Sequence, residues 1–202
     1  MQGNTNRTLA NTAVSWMSTP NFVNRKPMDA ARKSYQLEGH AMYVDIARLF
    51  GWRVLGDYWR SWVDDFEAGQ PWSRHGTDID VLSLRLSQKV GADLTPLLHF
   101  WGVLPRDPVS LKTAVAAARL PPSAKVYETL VHYQGLIPKD RVAFRTFAAN
   151  WWGQPPKATG FQIESAHAQQ WESYNEQTAA EVKNAVQEIL ERYFPGGRPR
   201  AQ

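Results

Sequence analysis

There is no cysteine among the 202 residues, which removes disulfides, zinc–thiolate centres and thiol catalysis together. Long apolar runs are missing as well. No stretch approaches the ~18 residues of a membrane span, so a membrane span is not expected. The opening "MQGNTNRTLANTAVSW" has neither the basic start, the apolar run nor the small-residue cleavage site of a signal peptide. Localisation stays open. An extracellular or cell-surface setting follows only if these residues continue a longer exported chain.

Catalytic signatures are equally scarce. The sequence contains no HExxH, no G-x-S-x-G elbow, no P-loop and no G-x-G-x-x-G. His40, His75, His99, His132 and His167 each stand alone, and Glu38 with His40 is an i, i+2 pair that points to different sides of a helix. These histidines are read as structural or surface residues. Asp78 and Asp80 in "DIDVLSLRLS" lack the later Gly and bidentate Glu of a calcium loop, and helix capping accounts for them more simply. Asp64, Asp65 and Glu67 crowd one helix end, whereas glycosidase-type acid and base work needs two carboxylates facing across a cleft.

The net charge is +4, yet the basic residues are scattered and gather only in the final "GGRPRAQ", which reads as a solvated tail. A nucleic-acid partner is not expected, because neither a basic helix stripe nor a module signature is present.

What is abundant is helical patterning and tryptophan. Proline, glycine and capping residues punctuate a series of helical windows. A first helix is expected over Thr8–Met17, then a loop through "NFVNRKPMD", then a helix over Asp29–Phe50 with a break near Gly39. Gly51 separates it from a helix through Trp62, and "EAGQPWSRHGTD" is a loop. Asp78 or Thr77 caps a helix that Gly91 ends, and Asp93 and Gly102 bracket a short one. Further helices are expected over 108–119, 122–133 and 139–150, then a loop "WWGQPPKATGF", an extended piece over Thr159–Ile163, and a long helix from about Glu164 to Tyr193. The expected fold is all-α, an irregular multi-helix bundle of short helices with a long C-terminal helix. Residues 1–160 are assigned to the helical domain, and 161–202 to the long helix and basic tail.

Nine tryptophans exceed what a minimal core requires, and an indole joins a large apolar face to one N–H donor. Two loops carry three of them: Trp72 beside Arg74 and His75, and Trp151 with Trp152. An indole stacked on a sugar, with Arg or His bonding its hydroxyls, makes these five residues candidates for substrate or glycan binding. A loop pinned to the core by a buried indole is the competing reading.

Two segments, "HAMYVDIARLFGWRVLGDYWRSW" and "DIDVLSLRLSQKVGADLTPLLHFWGV", together resemble the enhancin-like, mucin-degrading zinc metallopeptidases of the gluzincin group. The order and spacing agree over roughly residues 30–105, on corner glycines, tryptophans and helix amphipathicity. In that family two His of HExxH and a downstream Glu hold the catalytic zinc, and the motif Glu activates water. None of those positions has a counterpart here, and "GNTNRTLANTAVSW", where the downstream Glu is expected, contains no Glu. The resemblance therefore implies the helical support beside the substrate groove, in a chain that starts after the active site or has lost it. No cofactor is assigned to this chain, zinc being expected only in a complete family member. The implied function is support for cleavage of glycosylated, mucin-type proteins, with such proteins or the missing catalytic portion as partners. The alternative is a non-catalytic helical domain that binds glycans or proteins.

Overall fold

The computed structural model describes residues 2–29, 39–69, 78–149 and 173–200. Within them the fold is all-α: ten helices, no strand, and one isolated parallel bridge between Asp93 and Pro122. The helices are α1 Gln2–Met17, α2 Pro20–Val23, α3 Ala41–Phe50, α4 Trp52–Glu67, α5 Ile79–Val90, α6 Thr95–Phe100, α7 Pro108–Ala117, α8 Ala124–Gly135, α9 Arg141–Ala149 and α10 Glu176–Tyr193.

The short helix α6 lies at the centre. Its six residues are all buried, because α5, α8 and α10 pack around it. α1 packs on α2, α3 and α8, and α10 also crosses α2 and α8. Leu97, Phe100 and Trp101 from the middle of the chain share one core with Trp16 of α1 and Val186 of α10. Phe100 stacks on Tyr133 with ring centroids 5.1 Å apart. A smaller cluster joins Phe144 of α9, Tyr174 and Ala179.

Glycines set two of the joints. Gly51, at φ 94° and ψ 149°, both ends α3 and starts α4. Gly102 follows α6 at φ 75°, and a Cβ there would lie 2.6 Å from the Met28 backbone nitrogen and 2.8 Å from the Trp16 ring. Only glycine admits the 28 segment this close.

Several boundaries differ from the sequence expectation. α2 occupies the start of the supposed loop: Thr19 accepts from the Phe22 N–H and Pro20 sits at the first helical position. α4 continues past Trp62 to Glu67. The final helix begins at Glu176, where Asn175, in extended backbone at φ −150°, accepts from the Thr178 N–H. Its buried residues Val182, Ala185, Val186, Ile189 and Leu190 belong to the main core cluster, and Ala179 to the smaller one. Asp78 does cap α5, and Asp80 accepts from the N–H groups of Arg106 and Asp107 at 2.9 and 2.8 Å. Thr159–Ile163 and the segment from Glu164 to Glu172 lie outside the described residues.

Candidate binding groove

A groove with a cavity of about 190 Å³ opens between α2, α10 and the 104–108 connection. Its floor is apolar, formed by Trp16, Phe22 and Ile189, with Leu104, Pro105 and Pro108 along one wall. Four residues of α10 reach it: Ala185, Glu188, Ile189 and Arg192. They stand at i, i+3, i+4 and i+7, one face of a helix.

The rim is cationic. Arg25, Lys26 and Arg192 line the opening against a single lining carboxylate, Glu188. Arg25 has φ 55°, a left-handed conformation that costs a non-glycine residue roughly 1 kcal/mol. Its placement follows from the end of α2: the Arg25 N–H reaches Phe22 O at 3.1 Å and the Lys26 N–H reaches Asn21 O at 2.8 Å. That pair of bonds is a Schellman ending with arginine in the usual glycine position. The guanidinium then turns to Glu188, donating from Nε at 2.8 Å and from Nη2 as well. The hydrogen bond raises the Arg25 pKa and lowers that of Glu188, so both partners agree on an ionised pair. Both side chains are about half exposed, which limits the pair to the small stabilisation of a surface ion pair. Among the described residues no carboxylate forms an ion pair with Lys26.

His99 projects from α6 beneath this rim. It is buried, and burial first, then the charge of Arg192, lowers its pKa to about 4. The imidazole is therefore neutral at pH 7, and the positive charge of the opening belongs to the three long cations alone.

A buried polar node stands behind the groove. The Asp45 carboxylate of α3 accepts from the indole of Trp101 at 3.2 Å, the hydroxyl of Tyr133 at 2.9 Å and the guanidinium of Arg48 at 2.8 Å. Arg48 also reaches Thr129 at 3.2 Å. Burial pushes the Asp45 pKa up, while Arg48, Tyr133 and Trp101 pull it back. The node ties α3 to α8 and to the end of α6.

The sequence candidates Trp72, Arg74, His75, Trp151 and Trp152 lie outside the described residues, as does His167. Of the crowded acids, Asp65 pairs with Arg85 at 2.6 Å, and that guanidinium lies 4.2 Å from the centre of the Trp62 ring. The groove itself was missed. Arg25 falls in a stretch that reads as loop, and Glu188 with Arg192 reads as a solvated i, i+4 pair. Asp45 did have a signal, since it interrupts the apolar positions Met42, Ile46 and Leu49 on one helix face.

No protein-family model matches the chain, and no curated protein or solved structure matches it.

Proposed function

We propose that the chain is a non-catalytic helical binding domain whose groove between α2 and α10 receives an acidic segment of a partner protein. The observation that carries this reading is the cationic rim of Arg25, Lys26 and Arg192 over the apolar floor of Trp16, Phe22 and Ile189. Carboxylates of the partner would meet Lys26 and Arg192, and one apolar side chain would cover the floor. The volume favours a side chain over a whole cofactor, since small-molecule sites run roughly 300–1,000 Å³.

The experiment is a fluorescence titration with a labelled peptide of alternating Glu and Leu, beside its Lys and Leu counterpart. Binding of the acidic peptide alone is expected, weakened at least about tenfold in a Lys26→Glu, Arg192→Glu variant, which corresponds to about 1.4 kcal/mol. Equal affinity for both peptides, or no effect of the double substitution, sinks the reading.

A second reading keeps the resemblance to enhancin-like peptidases, with this chain as the helical support beside a groove for mucin-type glycoproteins. It is favoured by the packing of the two resembling segments on each other, through Asp45 to Trp101 and Trp62 to Arg85. The same titration separates the two readings when a mucin-type glycopeptide replaces the acidic peptide: saturable binding of the glycopeptide alone, abolished in Trp72→Ala or Trp152→Ala, supports the second.

A further inference from the structure

The Nε and Nη2 edge of Arg25 already holds a carboxylate. Glu188 of α10 accepts from Nε at 2.8 Å and, through its other oxygen, from Nη2. This is the side-on, two-point seat that a planar guanidinium offers to a carboxylate. The third nitrogen is engaged as well, since Nη1 donates to the carbonyl of Val23 at the end of α2. That bond ties the guanidinium to the backbone of its own turn, so the edge keeps its direction when Glu188 leaves. Both side chains line the groove.

The turn itself does not need the ion pair. Arg119 ends α7 as Arg25 ends α2, at φ 55°, with its N–H on Ala116 O at 2.9 Å and the Leu120 N–H on Val115 O at 3.2 Å. Yet Arg119 forms no ion pair among the described residues, so a left-handed arginine holds such a turn without a carboxylate. What sets Arg25 apart is where its guanidinium reaches, the mouth of an apolar groove. A strained backbone position beside a cleft points to a role in that cleft. Both partners of the pair are half-exposed, so exchanging one carboxylate for another costs little.

We infer that the Nε and Nη2 edge of Arg25 is the carboxylate subsite of the groove, and that Glu188 occupies it as an internal competitor until an Asp or Glu of the partner displaces it. The inference rests on the acidic-partner reading above and adds the atoms that seat the partner's carboxylate and the residue that limits its affinity. Lys26 and Arg192 attract an acidic chain from a distance and in any orientation. The planar fork accepts a carboxylate in one orientation and so sets the register of the chain over the floor. Because the ligand exchanges one such pair for a similar one, the wild-type groove binds weakly, and neutralising Glu188 strengthens it.

The test titrates the labelled Glu and Leu peptide into four forms of the full chain: wild type, Glu188→Gln, Arg25→Gln and the double variant. Glu188→Gln should bind about tenfold tighter than wild type. In the Arg25→Gln background the same substitution should gain no more than about twofold, what remains of a screened surface charge. A fifth form, Glu188→Gln with Arg25→Lys, keeps the charge but loses the fork and should forfeit most of the gain. An unchanged helical circular dichroism signal confirms that each form is folded. A gain that survives Arg25→Gln or Arg25→Lys is a general effect of charge and overturns the inference, as does a Glu188→Gln chain no tighter than wild type. These results leave the acidic-partner reading standing so long as wild type prefers the acidic peptide. Absence of binding in every form overturns both.

Discussion

The Nδ1 atom of His99 lies 2.9 Å from the hydroxyl of Tyr193, with the two rings edge to face at 5.6 Å. This bond joins the central helix α6 to the last turn of α10. It holds the imidazole where burial and Arg192 oppose a second positive charge. The Tyr193 hydroxyl is itself pushed up to about 12, chiefly by burial, so it keeps its proton across the working range.

Stability should therefore depend on the protonation of His99. Its pKa is near 6.5 in the unfolded chain and about 4 in the folded one, so between those values the unfolded chain binds more protons. The contribution is complete above about pH 6.5 and is lost as pH falls toward 4, and it amounts to something on the order of 3 kcal/mol. Urea unfolding at neutral pH and near pH 4.5 should show this loss in wild type and a much shallower one in His99→Gln. Equal slopes in the two proteins would mean that the imidazole is not held neutral.

The Asp45 node predicts an asymmetry between removing one partner and removing both. Asp45→Ala leaves Arg48 partly buried without its carboxylate and strips the acceptor from Tyr133 and Trp101, at a cost of about 3–5 kcal/mol. Tyr133→Phe removes one donor of several and should cost about 1 kcal/mol. A paired Asp45→Leu, Arg48→Met variant should recover much of what Asp45→Ala loses. Equilibrium denaturation of the three variants decides the matter. A paired variant as unstable as Asp45→Ala would place the cost in shape rather than in stranded charge.

Two glycines with the same backbone angle should respond differently to alanine. Gly91 and Gly102 both have φ 75°, but a Cβ at Gly91 meets open space while one at Gly102 collides with Met28 and Trp16. Gly91→Ala should cost about 1–2 kcal/mol, from the left-handed backbone alone. Gly102→Ala should cost at least about 1 kcal/mol more, because core overpacking is added. Thermal melts of the two variants measure the difference, and equal shifts would remove the steric part.

The helices that announce themselves in the sequence are those with a local stop and start. Asp78 and Gly91 enclose α5, and Pro108 opens α7 behind the capping carboxylate of Asp107. Asp93 accepts from the Thr95 N–H at 2.8 Å at the start of α6, as its position before "LTPLLHF" suggests. α2 is too short for any period to register, and the break at Asn175 is hidden inside a longer stretch that keeps helical composition. The groove is harder still. Its ion pair joins Arg25 to Glu188, 163 residues apart, and no local window contains both. The windows on either side of Gly51 read as helices, yet only the fold distinguishes the face of α4 that meets the core from the face that meets water.

Gly51 gives that face its bearing. A Cβ at this position would touch nothing within 4 Å, so the glycine is there for its dihedral angles and not to make room. It belongs to neither helix and stands between α3, whose Asp45 is anchored in the core, and α4, whose Trp52 and Trp59 are exposed while Trp62 is buried. One backbone angle pair, held by a residue without a side chain, thus sets the direction in which α4 leaves α3. The anchor and the aim are supplied by different residues, six positions apart.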